Sequence, residues 1–228
     1  MKIIYVTDLH GNKAVYEKFL ALLAKSRDIK AAIIGGDISP GYDIETQRDF
    51  LENWLLPRLR EFRKSCNKPI FIMMGNDDYF INMDLLYKAK NDGLLNILHD
   101  DVHKIGDYYL VGYPFVNPTP SIIKDWEKQE IEIEKDLEGI SKKTDPKRTV
   151  YVFHAPPFDT ALDVLYSGMH VGSIAIKRFI QSKKPMLTLH GHIHESPDMS
   201  GKIFERFGKT LSANPGACRI LCLNLKRL

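Results

Sequence analysis

The stretch MKIIYVTDLHGN, residues 1–12, decides the fold. Residues 2–7 are short, apolar and β-branched and stop abruptly at polar residues, the signature of a buried strand. Asp8, His10 and Asn12 follow at once. The next segment places Val15, Phe19, Leu20, Leu22 and Leu23 at helical spacing, so a helix follows the strand and its polar end. The same grammar recurs. Residues 31–34 form a second strand closed by Gly35-Gly36-Asp37, and residues 69–74 a third closed by Gly75-Asn76-Asp77-Asp78. Between them, residues 46–66 read as mostly helical, with Pro57 expected to kink or split the helix.

The second half continues the alternation. Residues 102–105 and 108–111 are expected to pair as a hairpin through Gly106-Asp107. Residues 122–140 read as a long charged helix, and a further helix is expected around 173–182. Residues 149–153, 186–189, 203–207 and 217–225 read as strands. No repeat, linker or low-complexity run interrupts the 228 residues. The reading is an α/β chain forming one domain over residues 1–228, with two packed sheets and outer helices.

Composition narrows the function. Hydrophobic residues at 44% and charged residues at 27% describe a globular chain, not a disordered one. With 32 basic and 29 acidic residues the formal charge is only +3, a poor match to a protein that neutralises many backbone phosphates. Nucleic acid is therefore a disfavoured partner. The N-terminus lacks signal-peptide features, and no apolar run approaches the roughly 20 residues of a membrane span. Cys66, Cys218 and Cys222 are odd in number and lack metal-motif spacing; the latter two are expected to be buried, reduced thiols. Together these features favour the cytoplasm, with homo-oligomerisation left open.

Chemistry gathers at the strand ends. Asp8 and His10 follow the first strand, Asp37 the second, and Asn76, Asp77 and Asp78 the third. His154 follows the strand ending at Phe153, and His192 and His194 the one ending at Leu189. Ligands of open α/β sheets collect beyond the carboxyl ends of strands, so these side chains are expected to converge. A set of imidazole, carboxylate and carboxamide donors without thiolate suits Mn, Fe or Zn. Alternation along an extended segment would turn Asp8 with His10, and His192 with His194, to one side, leaving Ile193 in the core. Gly11, Gly36, Gly75 and Gly191 allow sharp turns close to the ions. His190 is expected to pack or support the site from behind, and His99 and His103 to face solvent.

Asp-x-His, Gly-Asp, Gly-Asn, a lone His and Gly-His-x-His, in that order from Asp8 to His194, resemble the calcineurin-like metallophosphoesterase family; Asn214-Pro215-Gly216 resembles a further family element. The resemblance implies a four-layer α/β/β/α sandwich, two mixed β-sheets flanked by helices. It implies two divalent metal ions, one held by Asp8, His10, Asp37 and His194 and the other by Asp37, Asn76, His154 and His192. The implied activity is hydrolysis of phosphodiesters or activated phosphomonoesters in a small-molecule substrate, by in-line attack of a metal-bridging hydroxide. Asn12 is a candidate donor to a phosphate oxygen or metal ligand.

One position departs from the family pattern. Asp77 stands where the family has His near the leaving group, and a carboxylate whose reference pKa is about 3.9 is a poor proton donor beside two dications. His170, in a Gly-flanked loop before a helix start, is the candidate replacement. A metal-binding scaffold without hydrolysis and a nuclease are the competing readings.

Overall fold

The computed structural model describes residues 1–99 and 101–228. In chain order the first half runs β1 (Lys2–Val6), α1 (Lys13–Lys25), β2 (Ile29–Gly35), α2 (Ile44–Phe50), a π-helical turn (Leu51–Leu55), α3 (Leu56–Arg63), β3 (Ile70–Met73), α4 (Met83–Asn91) and β4 (Asn96–Ile97). The second half adds β5 (His103–Ile105), β6 (Tyr108–Tyr113), α5 (Glu130–Ser141), β7 (Thr149–Phe153), α6 (Ile174–Lys183), β8 (Leu187–Leu189), α7 (Ser196–Ser200), β9 (Phe204–Phe207), β10 (Thr210–Ala213) and β11 (Leu221–Asn224).

Two mixed sheets result. One has the order β11-β1-β2-β3-β4, with β1 to β4 parallel and β11 antiparallel to β1. The other has the order β5-β6-β7-β8-β10-β9, with a parallel centre and antiparallel edges. Alternation within the strands builds three apolar layers, because successive side chains leave a strand on opposite faces. Ile4, Val6, Ala32, Ile34, Ile70 and Ile72 pack beneath α1 to α4. Their neighbours Ile3, Tyr5, Ala31, Ile33, Phe71 and Met73 meet Leu110, Val150, Val152, Leu187 and Leu189 between the sheets. Val111, Tyr113, Tyr151 and Phe153 face α5 and α6. The architecture is the α/β/β/α sandwich, and the parallel strands send their carboxyl ends to one rim.

The helical segment is divided just before Pro57 by a π-helical turn, with Leu56 N–H bonded to Leu51 O, and Pro57 falls at the start of α3, where a missing N–H costs little. Several local expectations are corrected. The helix expected over 122–140 begins only at Glu130, where Gln129 and Glu132 form a capping box. Before it, Trp126 is buried and donates from Nε1 to Asp78 O at 2.8 Å, while Val116 exchanges backbone bonds with Trp126 and Lys128. A tryptophan anchored in the core holds this segment away from helix. Sequence patterning misses β10 because Thr210 and Ser212 look like loop residues; the Ser212 hydroxyl lies 2.6 Å from Thr188 Oγ1 in the neighbouring strand. The terminal strand is correspondingly shorter than 217–225.

His99 and His103 are half-buried, not solvent-facing: His103 Nε2 donates to Ile97 O at 2.8 Å, and its ring lies 5.0 Å from Phe71. All three cysteines are free, but Cys222, on the edge strand β11, is exposed and Cys218, in the turn before that strand, is only half-buried. Among the described residues no helix is long and apolar enough to cross a membrane.

Candidate metal centre

Five strand ends deliver the site. Asp8 and His10 leave β1, Asp37 leaves β2, Asn76 follows β3, His154 follows β7, and His192 and His194 follow β8. The expected mechanism of convergence is only partly right. Leu9 and Ile193 are buried as alternation demands, but Asp8, His10, Asp37 and His192 adopt positive φ, at 52°, 41°, 50° and 66°. These residues sit in the left-handed region, which non-glycine residues rarely enter and which commonly accompanies functional sites. Asp8 N–H bonds Gly36 O and His10 N–H bonds Asp37 O, so the β1 and β2 loops fix each other.

Two glycines are dictated by close approach. A Cβ at Gly75 would collide with Asp37 Oδ1, and one at Gly191 would collide with Asp8 Oδ2 and Thr7 Oγ1. Asp8 also accepts the backbone N–H of His192 at 3.0 Å, joining the rim of one sheet to that of the other.

Ligand-type atoms of Asp8, His10, Asp37 and His194 all lie within 4.8 Å of one another, and this group can hold a metal ion. His10 Nε2 and His194 Nε2 are 3.2 Å apart, and His194 Nε2 is 3.2 Å from Asp8 Oδ1. Asp37 reaches the other side of the site, with Oδ2 3.2 Å from His154 Nε2. His154 Nε2 lies 3.0 Å from Asn76 Oδ1, and the His154 and His192 rings are 5.6 Å apart.

Proton placement tests whether a cation fits. Gly35 O can only accept, so His154 Nδ1 must donate to it across 2.9 Å. Asn76 Nδ2 donates to Asp77 Oδ1 at 2.8 Å, which turns Asn76 Oδ1 toward His154. In neutral His154 the Nε2 lone pair therefore faces two oxygens that also only accept. Asp37 Oδ2 is buried without a well-aligned hydrogen bond despite its 3.2 Å contact with that nitrogen. Only an added proton or a cation satisfies such a set, and a backbone-oriented imidazole among carboxylates is how proteins present His to divalent metals. The donors around Asp37 therefore fit a cation, alongside the group of Asp8, His10, Asp37 and His194 that can hold one.

Without metal, protons fill the role. Burial works against the His154 cation, but the Asp37 and Asp8 carboxylates outweigh it and raise its pKa to about 10. For His194 burial is likewise overcome by the hydrogen bond and charge of Asp8, giving about 9. Burial opposes ionisation of Asp37 as well, yet the neighbouring His154 cation holds it well below the usual carboxylate range. His192, desolvated and next to His154, is pushed down to about 4 and stays neutral.

The remaining expected residues divide. Asp77 donates its backbone N–H to Asp37 Oδ1 at 2.9 Å, and burial and the Asp37 charge push its carboxyl upward. His170 shares one cavity of about 890 Å³ with Asn76, Asp77 and His192. Its Nδ1 lies 2.7 Å from Oδ1 of Asp163. Asn12 caps α1, its Oδ1 accepting Val15 N–H at 3.2 Å, and it does not line that cavity. His190 sits behind the rim, bonded through Nδ1 to Ala155 O and through Nε2 to Thr188 Oγ1.

Three residues that organise the site show what they do only in the folded chain. Asp78 is fully buried and accepts the N–H groups of Ile38, Ser39 and Gly75, tying the β2 loop to the β3 loop. Asn214 Nδ2 lies within 2.9–3.2 Å of Leu162 O, Gly191 O and Ile193 O, steadying the Gly-His-x-His turn. Asp163, also fully buried, takes N–H bonds from Asp159, Thr160 and Gly172 besides His170. Buried polar residues with several backbone partners look like ordinary turn residues until the fold assembles them.

Comparison with known proteins identifies the fold and the family. One solved structure superposes with a TM-score of 0.74 at 18% identity, covering 99% of this chain and 95% of its own. TT1561 of Thermus thermophilus gives 0.68 at 16% identity over 98% of both chains. A putative 5'-nucleotidase from Staphylococcus aureus, in complex with alpha-ketoglutarate, gives 0.58 at 16% identity over 98% of this chain and 50% of its own. At such identities the likeness is one of fold. No curated protein sequence matches the chain significantly. The sequence model of the calcineurin-like phosphoesterases matches residues 1–196, which span every strand end described above. The chain therefore belongs to the calcineurin-like phosphoesterase family.

Proposed function

We propose that residues 1–228 act as one metallophosphoesterase domain that hydrolyses phosphodiesters or activated phosphomonoesters with two divalent cations, drawn from Mn, Fe and Zn. The observation that carries this reading is the meeting of Asp8, His10, Asp37 and His194 within 4.8 Å, with His154 Nε2 on the far side of Asp37 at 3.2 Å. Asp8, His10, Asp37 and His194 hold one cation; Asp37, Asn76, His154 and His192 hold the other. When bound, such a pair acidifies a water molecule and offsets charge on the phosphoryl oxygens.

The protein's own residues do the rest. In hydrolysis the water oxygen bonds to phosphorus, the ester P–O bond breaks in line, and the departing oxygen takes up a proton. His170 supplies that proton from Nε2 as the doubly protonated imidazolium, since Nδ1–H is engaged by Asp163 and the neutral ring has only a lone pair at Nε2; the ring lines the cavity beside His192. Asp163 is a positioning residue. Asp77 accepts from Asn76 and orients that ligand instead of replacing the missing His. Asn12 contributes by capping α1, at the end of the loop that carries Asp8 and His10.

Asp77 at the leaving-group position also motivates a second reading, a metal-binding scaffold that does not hydrolyse esters. Hydrolysis of bis-p-nitrophenyl phosphate with Mn²⁺, abolished by Asp37→Ala and by His192→Ala, tests the first reading. Two bound ions with no turnover across a broad phosphate-ester panel would favour the second.

A further inference from the structure

The cavity that opens beside Asn76 and His192 has apolar walls and no lysine or arginine. Tyr42, Pro118, Pro120, Ile122, Phe158 and Leu165 supply the apolar surface. Among the described residues no lysine or arginine lines it, although the chain carries 32 of them. Its carboxylates are Asp77, Glu130 and Glu195. Glu130 is engaged elsewhere, accepting from Ser173 Oγ, Ile174 N–H and Ala175 N–H at the start of α6. Its donors are neutral, so it adds to the negative field of Asp77 and Glu195.

The apolar wall is also open to water. Ile122 is 78% exposed, Tyr42 61% and Ile174 42%, and they come from three separate segments. Single exposed apolar residues are ordinary, but three meeting at the mouth of one cavity describe a binding face. A cavity entered past hydrocarbon, with acids and no lysine or arginine, suits one kind of substrate arm and rejects another.

We propose that the substrate's organic arm is an apolar alkyl or aryl group bearing no further anionic group. The inference rests on the phosphoesterase reading for the placement of the phosphate at the metal centre. An arm carrying a carboxylate or second phosphate would be desolvated against hydrocarbon with no lysine or arginine to pair, and it would face Asp77 and Glu195. Nucleoside polyphosphates and nucleic acid strands are disfavoured for the same reason. Each methylene of an apolar arm buried against the wall multiplies affinity by about fourfold.

Two esters with the same leaving group isolate the arm: p-nitrophenyl hexyl phosphate and p-nitrophenyl 5-carboxypentyl phosphate, assayed with the Mn²⁺-loaded protein. The expected kcat/KM is at least about tenfold higher for the hexyl ester, mostly through KM. Ile122→Lys, at a highly exposed position that folding does not depend on, lowers that ratio by at least about threefold. Equal kcat/KM for the two esters, or a ratio unmoved by Ile122→Lys, would overturn the proposal. Calorimetric titration with hexylphosphonate and 5-carboxypentylphosphonate separates it from the reading beneath it. Tighter binding of hexylphosphonate without turnover of either ester keeps the arm assignment and removes the hydrolase reading; turnover of both esters without preference does the opposite. Failure of hexylphosphonate to bind more tightly than its carboxylated counterpart counts against the arm assignment whether or not the esters turn over.

Discussion

His10 Nε2 and His194 Nε2 face each other across 3.2 Å, although 184 positions separate the two residues in sequence. Two imidazoles do not approach in this way through packing preference. Asp8 lies 3.2 Å from the same His194 nitrogen, and His10 Nε2 is 3.9 Å from Asp37 Oδ2. The metal-free site is thus a cluster of lone pairs held together by shared protons. Its carboxylates stay ionised because His154 and His194 carry charge.

That charge state fixes the sign of a pH effect. With pKa values raised to about 10 and about 9, His154 and His194 are protonated at neutral pH in the metal-free protein, and each must lose its proton to bind a cation. The affinity for each ion should therefore rise with pH by up to about tenfold per unit, levelling off above about 9 at the His194 site and above about 10 at the His154 site. Calorimetric titration with Mn²⁺ in buffers of different ionisation enthalpy measures the released protons. An affinity flat between pH 6 and 8, with no proton release, would contradict this assignment.

His170 separates esters by leaving group. If it protonates the departing oxygen, His170→Ala should lower kcat by about 10²-fold for an alkoxide leaving group and by only a few-fold for p-nitrophenolate, which leaves without a proton. Steady-state kinetics on a matched alkyl and p-nitrophenyl pair provide the check. Equal losses on both would assign His170 to binding instead.

Trp126 gives a stability prediction. Its ring is 2% exposed, sits 5.4 Å from both Phe80 and Phe115, and donates to Asp78 O at 2.8 Å. Trp126→Ala removes this packing and leaves a cavity beneath the β3 loop, so it should cost about 3–5 kcal/mol. Urea unfolding measures the change, and an unmoved midpoint would show that the loop packs without its anchor.

The layer architecture and the candidate ligands were legible because both follow from local pattern: short apolar strands stop at polar residues, and parallel strands bring those stops to one rim. Asp8, His10, Asp37, Asn76, His154, His192 and His194 could be read this way. The position of Asp163 and the role of Asp78 could not, because their partners are backbone N–H groups up to 40 positions away, set by loop paths that no periodicity encodes. The helix expected from residue 122 failed for a related reason. Helical spacing there competes with burial of Trp126, and tertiary packing wins. Alternation explained why Leu9 and Ile193 are buried but not how Asp8 and His10 face inward, which requires left-handed backbone at both.

Metal content is the most direct test of whether seven side chains from five strand ends form one dinuclear centre. Protein equilibrated with Mn²⁺ and freed of excess ion should carry two ions per chain by elemental analysis, and Asp37→Ala, which removes the shared carboxylate, should carry fewer than one. A wild-type protein that retains no Mn, Fe or Zn, or an Asp37→Ala variant that still holds two ions, would contradict the account.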